Sequence, residues 1–251
     1  PAQRGGVAPA ASALPGNQAV GQLPTHQPAA GPTPTRAHCT RPAFTTSEHQ
    51  GGWNTQGYFV YNDMWNDSVP LGPQTLYACA YNDWYVVSNQ TDSAGAVKTY
   101  PNVHKDFNEP AISSLATLTS SFAATAPRVG IYDVAFDIWT NGVATSNSTE
   151  IMIWTENFHQ VPSGDKAKTV TLSGRSYDVY RTSNGHYLAF VPKSVIRSGT
   201  LNVLELLKWT IAQGFLATNS TLGQVDYGVE IVDTGGRSQT FSFTNFSLTS
   251  S

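Results

Sequence analysis

Charge is scarce in this chain: Asp, Glu, Lys and Arg make up 12% of its 251 residues, and 17 acids against 14 bases leave a net charge of −3. There is no basic surplus to neutralise phosphates, which excludes nucleic acid as an expected partner. No apolar run approaches the roughly 20 residues that a spanning helix needs, so no membrane partner is expected. Cysteine is almost absent. Only Cys39 and Cys79 occur, without a Cys-x-x-Cys pair, and the six histidines lie scattered at 26, 38, 49, 104, 159 and 186. Nothing in that spacing suits a metal site, and neither a metal nor an organic cofactor is expected. The two cysteines read either as one disulfide, implying an oxidising compartment, or as two buried thiols. No initiator methionine and no apolar signal core open the chain at Pro1, as in a secreted protein after processing.

Aromatic residues, by contrast, are plentiful at 11%, with six Trp and eleven Tyr. In so uncharged a chain they suit either a β-rich core or a surface that stacks on carbohydrate rings.

Residues 1–36 are dominated by Pro, Ala and Gly and contain no aromatic residue. Such a stretch buries too little apolar surface to offset its ordering entropy. It reads as a linker or extended arm ahead of a domain spanning 37–251. From Cys39 onward, short runs rich in Val, Tyr, Phe, Thr and Trp alternate with Gly, Asn, Asp and Ser. That pattern predicts strands near 57–62, 75–87, 115–122, 131–139, 149–154, 168–172, 176–181, 187–191, 225–232 and 239–248. Many short strands without a repeat indicate an all-β fold, a jelly-roll sandwich of two antiparallel sheets. One segment, 202–214, has a helical period. Asn202 and Glu205 form a capping-box pattern, Gly214 supplies a left-handed stop, and Leu204, Leu207 and Ile211 make one stripe. This single amphipathic helix is expected to pack on the outer face of the sandwich.

Glutamate is rare, at positions 48, 109, 150, 156, 205 and 230 only. Glu205 is assigned to the helix cap, and Glu48 and Glu109 lie in loop-like text. In Asn147-Ser-Thr-Glu-Ile-Met-Ile-Trp154, strand alternation puts Glu150, Met152 and Trp154 on one face and Ile151 and Ile153 on the other. Glu230 sits likewise in Asp226-Tyr-Gly-Val-Glu-Ile-Val232, its β-branched neighbours facing away. Asp137, in Tyr132-Asp-Val-Ala-Phe-Asp-Ile-Trp139, is a third strand-borne acid. Two carboxylates converging in one groove are what glycoside hydrolysis needs, about 5–5.5 Å apart in a retaining enzyme. One attacks the anomeric carbon while the other, kept protonated by its neighbour's charge, protonates the leaving oxygen. The alternative reading makes all three acids ordinary solvated residues on a sheet face, since spacing alone does not bring Glu150 to Glu230.

The motifs taken together resemble glycoside hydrolase family 12. Ser148-Thr-Glu-Ile-Met-Ile-Trp154 is similar to that family's nucleophile motif, Asp137-Ile-Trp139 to its Asp-Ile-Trp strand, and Lys98-Thr-Tyr-Pro-Asn-Val103 to its Lys-Ser-Tyr-Pro-x-Val segment. Tyr58-Phe-Val-Tyr-Asn-Asp-Met-Trp65 resembles its Asn-Asn-x-Trp strand, and the match runs colinearly over about 37–251. The resemblance implies a secreted, monomeric, retaining endo-β-1,4-glucanase that takes a β-glucan polysaccharide or oligosaccharide. Glu150 would be the nucleophile, Glu230 the acid/base and Asp137 the nucleophile's carboxyl partner. Asn62 and Trp65 would line the donor subsites, Trp154 would sit beside the scissile bond, and Cys39 and Cys79 would form a disulfide. Two departures stand out. Asp63 replaces the family's second Asn, and Glu230-Ile-Val-Asp-Thr-Gly-Gly236 replaces the usual Glu-Pro-Phe or Glu-Pro-Trp. A xyloglucan-specific hydrolase is the nearest alternative activity, and a non-catalytic carbohydrate-binding module is the alternative from another class.

Overall fold

The computed structural model describes residues 39–92 and 95–251; the expected arm at 1–36 lies outside them. In chain order the strands begin with β1 (Phe44–Thr46), β2 (Gly52–Thr55), β3 (Tyr58–Tyr61), β4 (Gln74–Ala80), β5 (Asp83–Ser88), β6 (Asn102–Asp106), β7 (Leu118–Thr125) and β8 (Ile131–Thr140). They continue with β9 (Thr149–Phe158), β10 (Asp165–Leu172), β11 (Arg175–Arg181), β12 (Tyr187–Pro192), β13 (Ser198–Asn202), β14 (Leu222–Asp233) and β15 (Gln239–Ser250). Among the described residues one α-helix, α1 (Val203–Ala212), and a 3-10 turn at Ile112–Ser114 interrupt them.

Two sheets form the jelly roll. The six-stranded sheet runs β1-β4-β5-β15-β7-β13 and the nine-stranded sheet β10-β11-β12-β9-β8-β14-β6-β3-β2. Pairing is antiparallel except between β9 and β12, which run parallel with Glu150 opposite Tyr187. Alternation along each strand divides core from surface. Phe136 and Ile138 of β8, Ile151 and Ile153 of β9, and Tyr227 and Val229 of β14 face the six-stranded sheet. They meet Trp84, Phe122, Phe241, Phe243 and Phe246, with Trp84 stacked on Phe243 at 4.1 Å and Phe136 against Tyr227 at 4.5 Å. At about 25 cal/mol per Å², each such aromatic side chain contributes several kcal/mol of burial.

The predicted strand at 75–87 is two strands, β4 and β5, because the chain reverses at Tyr81 and Asn82. Strands β1, β2, β6 and β13 are additional to the prediction; β6, Asn102-Val-His-Lys-Asp106, carries a single aliphatic side chain and gives no apolar alternation. The helix forms where its caps place it. The Asn202 side chain accepts from the Glu205 N–H at 3.2 Å, while the Glu205 carboxylate turns away to accept from Ser173 N and Oγ. The helix follows β13 and packs beside β7 of the six-stranded sheet, reaching across to β12 of the nine-stranded one. Leu204, Leu206 and Leu207 are buried, and Trp209 sets its edge against Phe190 of β12. Cys39 and Cys79 are joined by a disulfide, their Cα atoms 5.6 Å apart.

Candidate active site

The other face of the nine-stranded sheet carries the polar members of the same alternation. From β8 come Asp133, Ala135, Asp137 and Trp139, from β9 Glu150, Met152 and Trp154, and from β14 Gln224, Asp226, Gly228 and Glu230. Strand β8 lies between the two glutamate-bearing strands. Glu150 is registered to Trp139, Met152 to Asp137, Asp226 to Asp137 and Glu230 to Asp133. The face is therefore an acid-lined trough. Asp133, Asp137 and Asp226 are buried, whereas Glu150 and Glu230 both keep part of their surface in solvent. A solute entering the trough meets those two carboxyls.

Glu156 belongs to the trough by simple alternation from Glu150 but is absent from it. The β8–β9 ladder skips Thr155 between Trp154 and Glu156, and such a bulge reverses the facing of the residues beyond it. The Thr155 hydroxyl donates to Val134 O at 3.0 Å, and Glu156 accepts from Tyr132 Oη at 3.1 Å and Arg197 Nε at 3.3 Å. Its charge is spent on structure.

Burial controls the electrostatics of the trough. It pushes Glu150 up to about 8, with the charge of Glu230 adding to the effect. Burial also raises Glu230, to about 6, and the neighbouring Asp133 carboxyl offsets part of that rise. Asp133, Asp137 and Asp226 are held well above the ordinary carboxylate range, by burial first and by the neighbouring acids second. The two glutamates thus titrate as a coupled pair above the ordinary carboxylate range. Among the described residues, no group of three or more His, Cys, Asp or Glu is arranged to hold a metal ion.

Two tyrosines bracket the acids. Tyr100, just ahead of β6, donates from Oη to Ala135 O at 3.0 Å, and its hydroxyl feels Asp137, Asp226, Glu230 and Asp133. Tyr187, on β12, donates to Met152 Sδ at 3.4 Å and feels Glu230, Glu150, Asp133 and Asp137. Both hydroxyls sense Glu230, Asp133 and Asp137, so the carboxyls gather in one place. His104 rests on the floor with Nδ1 2.8 Å from Asn102 Oδ1. Burial pushes it down to about 4, which favours the neutral ring near pH 7.

Two of the expected substrate contacts need correction. Asn62 is fully buried on the core side, donating to Glu48 O at 2.9 Å and accepting from Gln74 Nε2 at 3.1 Å. Its side chain anchors the end of β3 rather than lining the trough. One residue on, parity reverses, and Asp63 meets Asn102 Nδ2 at 3.4 Å and adds its charge to Asp137 and Asp226. Trp154 is on the trough face but only 1% exposed, packed with Ala135, Met152 and Ala189, its indole N–H 3.5 Å from Met152 Sδ. It forms the floor beneath any ligand and offers no open ring face. Trp65 is half-buried just beyond β3, on a segment pinned where Asn66 N donates to Lys98 O at 3.2 Å. Asp133 and Tyr187 lie beside these acids and were not singled out by the sequence pattern, whereas Asp63 was noted only as a departure from the family. The signal for Asp133 was its four-residue spacing from Asp137 within one strand.

Comparison with known proteins agrees with this architecture. The profile described as Glycosyl hydrolase family 12 matches residues 56–250. The xyloglucan-specific endo-beta-1,4-glucanase A of Emericella nidulans is 24% identical over 196 residues, covering 72% of this chain and 82% of that protein. Endoglucanase S of Pectobacterium parmentieri is 24% identical over 212 residues, covering 72% and 78%. Among solved structures, the xyloglucanase domain of NopAA from Sinorhizobium fredii, in complex with cellobiose, superposes with a TM-score of 0.72 at 29% identity. That superposition covers 84% of this chain and 100% of that one.

Proposed function

The chain belongs to glycosyl hydrolase family 12, and we propose that it cleaves internal β-1,4-glucosidic bonds of a β-glucan by a retaining double displacement. One observation supports the reading: of the acids that β8, β9 and β14 bring to the trough face, Asp133, Asp137 and Asp226 are buried, while Glu150 and Glu230, on either side of β8, are only part-buried. Glu150 acts as nucleophile and Glu230 as acid/base. The productive arrangement has the proton on Glu230 and the charge on Glu150. Glu230 passes that proton to the leaving glycosidic oxygen while ionised Glu150 bonds to the anomeric carbon, and the positive charge developing there favours the ionised form of Glu150. Asp137, flanked by Met152 and diagonal to Glu150, sets the nucleophile's surroundings. Trp65 and Trp139, both partly exposed, offer rings to the sugar chain.

Secretion accords with the disulfide, and among the described residues no helix is long and apolar enough to cross a membrane. The names of the relatives favour a narrower second reading, in which the preferred glucan is xyloglucan. Initial rates on xyloglucan, barley β-glucan and carboxymethylcellulose test both. Failure to release reducing ends from any of the three sinks the first reading. Equal kcat/KM across them sinks the second, which requires at least about a tenfold preference, or 1.4 kcal/mol. Proton NMR of the first-formed product tests retention, since the β-anomer must appear before mutarotation.

A further inference from the structure

We propose that Asp133 is a positioning residue for the catalytic proton: it carries a proton of its own and donates it in a hydrogen bond to Glu230 across the β8–β14 ladder. This rests on Glu230 acting as acid/base. The two residues are direct cross-strand partners on the trough face. Like charges so placed repel, and a charged Asp133 would have no compensation, because its side chain is fully buried and neither Oδ1 nor Oδ2 receives a hydrogen bond. A buried carboxylate left without a hydrogen bond is strongly disfavoured. Carrying a proton removes that cost and turns Asp133 into the donor that the Glu230 carboxylate lacks.

The surroundings reinforce this state. Glu150 from β9 and Asp137 from β8 act on Asp133 as like charges, Tyr187 from β12 and Tyr100 ahead of β6 face the pair with neutral hydroxyls, and no Lys or Arg among the described residues forms an ion pair with either acid. A bond donated to the ionised form stabilises that form, so Asp133 lets Glu230 release its proton at lower pH than burial alone would allow.

Asp133→Asn tests the inference. An amide N–H donates to a carboxylate less strongly than a carboxylic O–H, and the amide oxygen can accept from protonated Glu230. Both changes favour the neutral form of Glu230. The kcat/KM optimum on barley β-glucan is expected to move to higher pH by about half a unit to one unit. An optimum that stays in place, or moves to lower pH, overturns the proposal. Asp133→Ser, which keeps a weaker O–H donor, should shift the optimum the same way and carries the test if the Asn variant does not fold by circular dichroism. Glu230→Gln separates the two levels of the argument. Full activity of that variant rejects the acid/base reading, and the Asp133 inference with it. Loss of activity there with an unmoved Asp133→Asn profile rejects only the role of Asp133.

Discussion

Gly228 passes so close to Pro101 that a β-carbon on it would stand 2.3 Å from the Pro101 carbonyl oxygen and 2.7 Å from Asn102 Cβ. The absent side chain lets the segment ahead of β6 lie flat on β14, and that segment carries Tyr100 to its bond with Ala135. Backbone proximity at this point thus governs a side chain in the middle of the trough.

Gly228→Ala should therefore do two things. Overpacking against backbone costs roughly 1–3 kcal/mol, lowering the midpoint of urea unfolding. Displacement of Tyr100 should lower kcat by about tenfold or more with a smaller change in KM. Wild-type kcat in a correctly folded variant would break the link between Gly228 and the trough.

Glu150→Gln should abolish turnover and also alter the dependence of stability on pH. The folded-state value of Glu150 lies near 8, above its ordinary value of 4.5, and Asp63 is raised to about 8 by burial. A carboxyl raised in this way contributes stability that is fully present below its unfolded value and is lost as pH rises through the folded one. Melting temperature should fall from pH 5 to pH 8 in the native protein and fall less in Glu150→Gln. Parallel Tm–pH curves for the two would refute this account of the trough's acids.

Opening the Cys39–Cys79 bond by Cys39→Ser, or by reductant, releases a link between positions 40 residues apart. Loop entropy puts the loss at about 4 kcal/mol. For a domain of this size that is a drop in Tm on the order of 10 °C, read by calorimetry with and without reductant. Catalytic constants below the new midpoint should be unchanged, since the link ties β4 to the segment ahead of β1, in the six-stranded sheet.

The sequence made the acids legible because a strand has period two. Glu150 and Glu230 each sat between β-branched neighbours, and one face followed. The same rule failed wherever a single residue changed its phase. At the end of β3 the resemblance put Asn62 in the donor subsites, whereas one position of parity turns its side chain to Glu48 and Gln74 and leaves Asp63 facing the acids. At Thr155 a bulge removed Glu156 from the face it shares with Glu150 on paper. Partnership between strands was hidden for another reason: nothing in Asp133 or Glu230 alone announces that β8 and β14 are neighbours, or that β9 lies parallel to β12. The burial of Trp154 depends on Ala135 and Ala189 closing over it from adjoining strands.

Strands β14 and β15, the last two in the chain, are interior strands, one in each sheet: β14 lies between β8 and β6, and β15 between β5 and β7. Until residues 222–250 leave the ribosome, each sheet is split into two halves with raw edges, and Glu230 has no Asp133 to face. Synthesis from the amino end therefore yields no active intermediate. With β14 and β15 not yet in place, the four sheet edges that they cover in the folded domain lie open, a state prone to self-association.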